Sequence, residues 1–212
     1  MSDELIDRLC TDLRPARPVV AGRLTAGIGL GALVSALLML LVLGPRPDLA
    51  AAIITPMFWV KAGYAFALAG IGCWAAGRAA RPASAAGPRL LWLIAPVAVV
   101  AVFAATQVAA APAPMRITLV LGGSATICPW LIALLSIAPF GGIVWAMRGL
   151  APTRLPLAGA VAGLAAGGAG AFVYAVHCTE SGAPFLALWY TLGVVIAGLA
   201  GAALGSRLLR WR

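Results

Sequence analysis

Four cysteines and a single histidine hold most of the chemistry this sequence can offer. Cys128 and Cys178 stand out, because His177 and Glu180 lie beside the second of them. Two thiols can join as a disulfide if the fold brings their Cα atoms within about 7 Å. With His177 and Glu180 they can instead supply ligands to a soft or borderline metal. A structural disulfide, or two unrelated buried thiols, stands beside a sensing role as a reading of the same residues. No HExxH, P-loop, GxSxG or CxxC occurs, so the motif-bearing hydrolase, kinase and thiol oxidoreductase classes have nothing to rest on. No enzymatic activity is expected, and no resident cofactor.

The elements that must position those sulfurs are membrane spans. The chain has 212 residues, 63% hydrophobic and 10% charged, with a mean hydropathy of +1.02. Soluble domains are about 25% charged. The expected fold class is therefore all-α, a polytopic membrane protein. Six apolar segments approach the ~20 residues that cross a ~30 Å hydrocarbon layer. They run roughly Leu24 to Leu43, Met57 to Ala76, Leu90 to Ala109, Ile127 to Met147, Leu157 to Val176 and Phe185 to Gly205. Met115 to Thr126 reads as an external loop or re-entrant shoulder, because Gly122, Gly123 and Ser124 weaken a helix there. No cleaved signal peptide is expected: the start is acidic and leads into a run too long for a signal h-region.

Lys and Arg set the orientation, since cytoplasmic loops retain positive charge. With the amino end inside, Arg8, Arg14, Arg17, Arg23, Arg78, Arg81, Arg89, Arg148, Arg154, Arg207, Arg210 and Arg212 fall on the inner side, and Arg46, Lys61 and Arg116 on the outer. Twelve against three puts both termini in the cytoplasm. The net charge of +9 forms no basic patch, so direct nucleic-acid binding is not expected. The spans lack Asp and Glu, and Lys61 lies near enough the outer interface to snorkel, which argues against a proton-coupled transporter. Gly27 with Gly31, Gly159 with Gly163 and Gly167, and Gly201 with Gly205 follow small-xxx-small spacing, pointing to close contact among the first, fifth and sixth spans.

This topology places Cys10 in the cytosol, Cys73 near the inner interface, Cys128 at the outer start of the fourth span and Cys178 just past the outer end of the fifth. The link Arg148 to Pro156 is short, so those spans should be antiparallel neighbours with adjoining outer ends. The compartment there would be oxidising.

Residues 1–22 form the one stretch suited to a soluble partner, ahead of a transmembrane domain over 23–212. Ser2 can cap a helix with Asp3 and Glu4 in its first turn, and Pro15 stops it. Leu5, Ile6, Leu9 and Leu13 share one face. Their burial in a groove is worth roughly 6 to 12 kcal/mol gross, less about 2 to 5 for ordering the segment. The competing reading is an interfacial helix on lipid, and with it a small facilitator or channel; the acidic first turn disfavours it.

Several short stretches resemble those of the NrsF family of membrane anti-sigma factors. They are Asp12-Leu13-Arg14-Pro15, Arg46-Pro47-Asp48-Leu49, Phe58-Trp59-Val60-Lys61, Cys128, His177-Cys178 and the run Phe185 to Tyr190, in the family's order across almost the whole chain. Ala16 departs from the Val usual after the Pro. The resemblance implies an inner-membrane protein that sequesters an extracytoplasmic-function (ECF) sigma factor and releases it under oxidative or heavy-metal stress. It implies that the head, with Leu5, Ile6, Leu9, Asp12, Leu13, Arg14 and Pro15, contacts the sigma factor, and that Cys128 and Cys178 are the sensors.

Overall fold

The computed structural model describes residues 17–81, 88–148, 150 and 152–210, and these carry helices and no strand. The proposed head contacts, Leu5 through Pro15, and Cys10 lie outside the described residues.

Helix α1, Arg17–Leu38, starts seven residues before the expected Leu24 and continues through a π-helical turn, Met39–Leu43, to Gly44. Gly44 has φ 72°, a left-handed conformation suited to glycine, and it ends the helix. After a short helix α2, Leu49–Ile53, comes α3, Pro56–Ala79. A 3-10 turn, Pro88–Leu93, leads into α4, Ile94–Ala110. Helix α5, Ala113–Leu121, occupies most of the stretch expected to be a loop or shoulder. That expectation is corrected: Gly122, at φ 55°, ends this helix instead of preventing it, and α5 buries none of its residues.

The fourth span is two helices, α6, Cys128–Leu135, and α7, Ile137–Met147, joined at Ser136. Proline explains the join. Pro139 has no N–H to give the carbonyl four residues back, which is that of Leu135. An unmatched carbonyl is unfavourable away from water, and here Ser35 Oγ of α1 donates to it at 2.6 Å. The remaining elements are α8, Leu155–Tyr174; α9, Ala183–Phe185, followed by a second π-helical turn, Leu186–Tyr190; and α10, Thr191–Leu208.

Among the described residues five helical segments are long and apolar enough to cross a membrane: Ala21–Leu43, Leu91–Ala110, Cys128–Met147, Leu155–Tyr174 and Ala183–Leu208. Helix α3 has the length, at 24 residues, but Lys61, Arg78 and the glycines at 63, 70, 72 and 77 dilute its apolar content.

Helix α8 is the centre of the bundle, and glycine is what lets its neighbours reach it. A Cβ added to Gly159 would overlap the Gly201 carbonyl of α10 and sit 2.7 Å from Gly205 Cα; one on Gly167 would sit 2.9 Å from Val194 Cα. On another face, a Cβ on Gly72 of α3 would lie 2.8 Å from Ala165 Cα. The small-residue spacing thus brings the fifth and sixth spans together as expected. The first span differs: Gly27 and Gly31 face Gly142 and the Ala138–Pro139 backbone of α7. Its closest glycine contacts are with the fourth span, which spacing within one helix cannot reveal.

Basic residues gather at one end of the bundle, where Arg23 lies 5.7 Å over the Trp145 ring and Arg148 Nε donates to Leu208 O at 3.0 Å. Both π-helical turns lie at the opposite end, beside the cysteines.

Candidate functional site around Cys128 and Cys178

Cys128 opens α6, and Cys178 follows α8 in the loop that leads to α9. Both are free and buried, at 0% and 3% exposure. Both sit in one buried cluster with Tyr174 and Tyr190, where each thiol perturbs the other. Two residues fifty positions apart meet because α8 packs against both halves of the fourth span, so the start of one and the end of the other share a level.

Aromatic side chains enclose the pair. Tyr174 packs in the same buried cluster as both sulfurs. Tyr190, at the end of the second π turn and fully buried, turns its hydroxyl toward Cys178 without a well-aligned hydrogen bond. The two tyrosine rings lie 5.8 Å apart, and Tyr174 is 5.6 Å from the His177 ring. Such π turns are frequent at functional sites, because the extra residue turns a side chain off its regular helical direction.

Two cations hold the loop that carries Cys178. Arg46 grips Asp48 with both ends of its guanidinium, each at 2.7 Å, and also donates from Nη1 to Cys178 O at 3.1 Å. Its backbone N–H donates to Val176 O at 3.1 Å. Lys61 reaches in from α3, donating from Nζ to Cys178 O at 3.2 Å and to Glu180 O, with the ammonium 5.5 Å above the Tyr190 ring. The expectation that Lys61 snorkels is therefore corrected: it is 2% exposed and turned inward, because two loop carbonyls solvate its ammonium inside the protein.

The electrostatics follow from these contacts. The guanidinium beside Asp48 holds that carboxyl below the ordinary aspartate range, and the same pairing raises Arg46. The Cys178 thiol is pulled below the usual thiol range, first by its interaction with Cys128 and then by the Lys61 ammonium, against the opposing effect of burial.

His177 and Glu180 do not converge on the sulfurs. His177 Nδ1 pairs with Gly44 O at 2.8 Å. The Glu180 carboxylate accepts from the Gly123 N–H at 2.8 Å and from Ser124 Oγ at 3.4 Å, pinning the turn after α5 to the Cys178 loop. Among the described residues no group of three or more His, Cys, Asp or Glu side chains is placed to hold a metal ion. In the structure both side chains tie loops together.

Sequence reasoning did not single out Tyr174, Tyr190, Arg46 or Lys61 as neighbours of the sulfurs. A signal for the cations was present: a Lys inside an apolar helix and an Arg two residues from an Asp are costly to bury unless partnered. Which carbonyls partner them is not written locally.

The chain matches the family NrsF, described as negative regulator of sigma F, over residues 9–211. It is 42% identical over 198 residues to the probable anti-sigma-F factor NrsF of Azospira oryzae, covering 92% of this chain and 91% of that protein. It is also 42% identical over 218 residues to the anti-sigma-F factor NrsF of Caulobacter vibrioides, covering 99% of each. No solved structure matches it. With a match that spans nearly every residue, the chain belongs to the NrsF family of negative regulators of sigma F.

Proposed function

We propose that this protein is an inner-membrane anti-sigma factor of six spans, α3 included, which holds an ECF sigma factor on its amino-terminal head and releases it when Cys128 and Cys178 are modified. Both termini lie in the cytoplasm in this reading, and the cysteine end of the bundle faces the periplasm. The distribution of Lys and Arg supports that orientation. The observation that carries the proposal is the pairing of two buried thiols at the bundle end opposite Arg23 and Arg148, in a member of a family of negative regulators.

The head, residues 1–22, presents Leu5, Ile6, Leu9 and Leu13 to a groove on the sigma factor, with Asp12, Arg14 and Pro15 completing the contact. Oxidation or a thiophilic reagent at the sulfurs shifts the Cys178 loop, and with it α8 and α10, whose backbones touch through glycine and so move as a unit. Packed helices pass on a small displacement by switching between discrete arrangements rather than by deforming smoothly.

A pull-down tests the first step. A peptide of residues 1 to 22 should retain an ECF sigma factor from a lysate of the source organism, identified by mass spectrometry, and Leu9→Asp with Leu13→Asp should abolish retention. Failure of the wild-type peptide, with the full chain in detergent also failing, refutes sequestration. For the sensing step, Cys128→Ser and Cys178→Ser, singly and together, should abolish the oxidant or metal response of a sigma-dependent reporter; an unchanged response removes the pair from the mechanism.

A further inference from the structure

The two thiols do not have equivalent surroundings. Arg46 has its counter-charge in Asp48. Lys61 has none among the described residues: its ammonium meets the carbonyls of Cys178 and Glu180 and the face of Tyr190. A buried cation held only by dipoles is stabilised by an anion placed beside it; of the two neighbouring thiols, Cys178 is the one whose own carbonyl Lys61 holds. We infer that Cys178 is the attacking thiolate of the pair and Cys128 the resolving thiol, with Lys61 the positioning residue that sets this order. The inference rests on the reading of the pair as a sensor and names its reacting atom.

Three further observations agree. The buried Tyr190 hydroxyl has no hydrogen-bond partner of its own and lies beside Cys178, where a thiolate would accept from it. Cys178 retains a little exposure, at 3%, while Cys128 has none. Cys178 also sits in a loop tied to both cations, so sulfur chemistry there acts directly on the Arg46 and Lys61 contacts. One feature favours the other thiol: Cys128 opens α6, and a helix N-terminus carries roughly half a positive charge. Against it stand two full charges, Lys61 and Arg46, both bonded to the Cys178 carbonyl itself. The titratable and charged groups facing Cys178 are thus Lys61 from α3, Arg46 with Asp48 from the first loop, Cys128 from α6, Tyr174 from α8 and Tyr190 from the second π turn, with His177 and Glu180 on its own loop.

With a hydroperoxide as oxidant, the thiolate of Cys178 attacks the near oxygen and the O–O bond breaks. The departing hydroxide or alkoxide takes a proton, leaving a sulfenic acid on Cys178. The Cys128 sulfur then displaces the sulfenic oxygen as water, forming the disulfide. Two thiols lose two electrons and the hydroperoxide gains them.

The test uses the full-length protein purified in detergent, with hydrogen peroxide as oxidant and dimedone as the trap for sulfenic acid. Cys128→Ser should label at Cys178, and Cys178→Ser should leave Cys128 unlabelled. Lys61→Met should slow disulfide formation about tenfold near neutral pH and move the midpoint of its pH–rate profile up by about one unit, within the range an opposite charge produces; Lys61→Arg should restore most of the rate. Labelling of Cys128 in Cys178→Ser without labelling of Cys178 in Cys128→Ser overturns the order. A Lys61→Met profile superimposed on wild type overturns the role of Lys61. Should Lys61→Met fail to fold, the labelling of the two serine variants, both with Lys61 intact, still decides the order. The assay contains no sigma factor, so the order found in vitro together with an unresponsive reporter upholds it and refutes the sensor reading alone.

Discussion

The packing of α8 against α10 can be tested by adding one methyl group, as Gly159→Ala. Its Cβ would lie 2.7 Å from Gly205 Cα and overlap the Gly201 carbonyl. Carbon atoms pack best at about 3.5 to 4.0 Å, so α10 must retreat by roughly 1 Å or α8 must tilt. Either movement opens the neighbouring contacts at Gly163 and Gly167, where the same backbones touch. Overpacking of this kind costs about 1 to 3 kcal/mol. Gly29→Ala on α1 is the matched control, because its Cβ meets nothing within 4 Å and it removes the same backbone freedom. Subtracting one from the other cancels the helix-propensity gain common to both, leaving about 1 to 3 kcal/mol, or roughly 5- to 150-fold in the folding equilibrium at 1.4 kcal/mol per decade. Unfolding in mixed micelles of mild detergent and dodecyl sulfate, followed by tryptophan fluorescence, measures that difference. Equal midpoints for the two variants would refute the account of glycine as the contact surface of the central helix.

Other perturbations read the remaining links. Ser35→Ala leaves the Leu135 carbonyl freed by Pro139 without its donor; a loss of about 0.6 to 1.7 kcal/mol is expected in the same assay, and a neutral result would mean that another group satisfies that carbonyl. Glu180→Ala removes the acceptor for the Gly123 N–H and should speed hydrogen exchange across residues 122–127 with little change in α10; unaltered exchange there refutes the strap. Asp48 has a folded pKa below its unfolded value, so its contribution is fully present above the unfolded pKa of about 3.9 and is lost as pH falls through the lower folded value. Exchange protection of the Arg46 and Leu49 amides should accordingly be level from pH 8 to pH 5 and decline only below about pH 4; a decline centred near pH 6 would point to a different group.

How far the sequence alone could be read is clearest at particular residues. The apolar segments announced their helices, because a backbone in oil must satisfy its own hydrogen bonds and 20 or so apolar residues leave little alternative. The adjoining ends of the fourth and fifth spans were likewise deducible, since the short link between them forces an antiparallel pair. Cys128 and Cys178 were therefore legible as neighbours, and the small-residue spacing on α8 and α10 was legible as a contact.

Other features depended on which helix stands beside which, information that no local pattern contains. Gly27 and Gly31 have the right spacing for a close contact, yet only the assembled bundle assigns them to α7. Lys61 near a span end looks the same whether it bends toward water or toward protein. Its inward course became available because Arg46, Lys61 and the Cys178 loop, distant along the chain, bring carbonyls and cations to one point. His177 and Glu180 lay beside a cysteine in sequence but turned to Gly44 O and the Gly123 N–H, where unpaired backbone groups needed partners. Composition and periodicity settled that there would be apolar helices and roughly where; the partner of each buried charge and each sulfur was decided by tertiary packing, because buried polar groups must be satisfied by whatever the fold brings within reach.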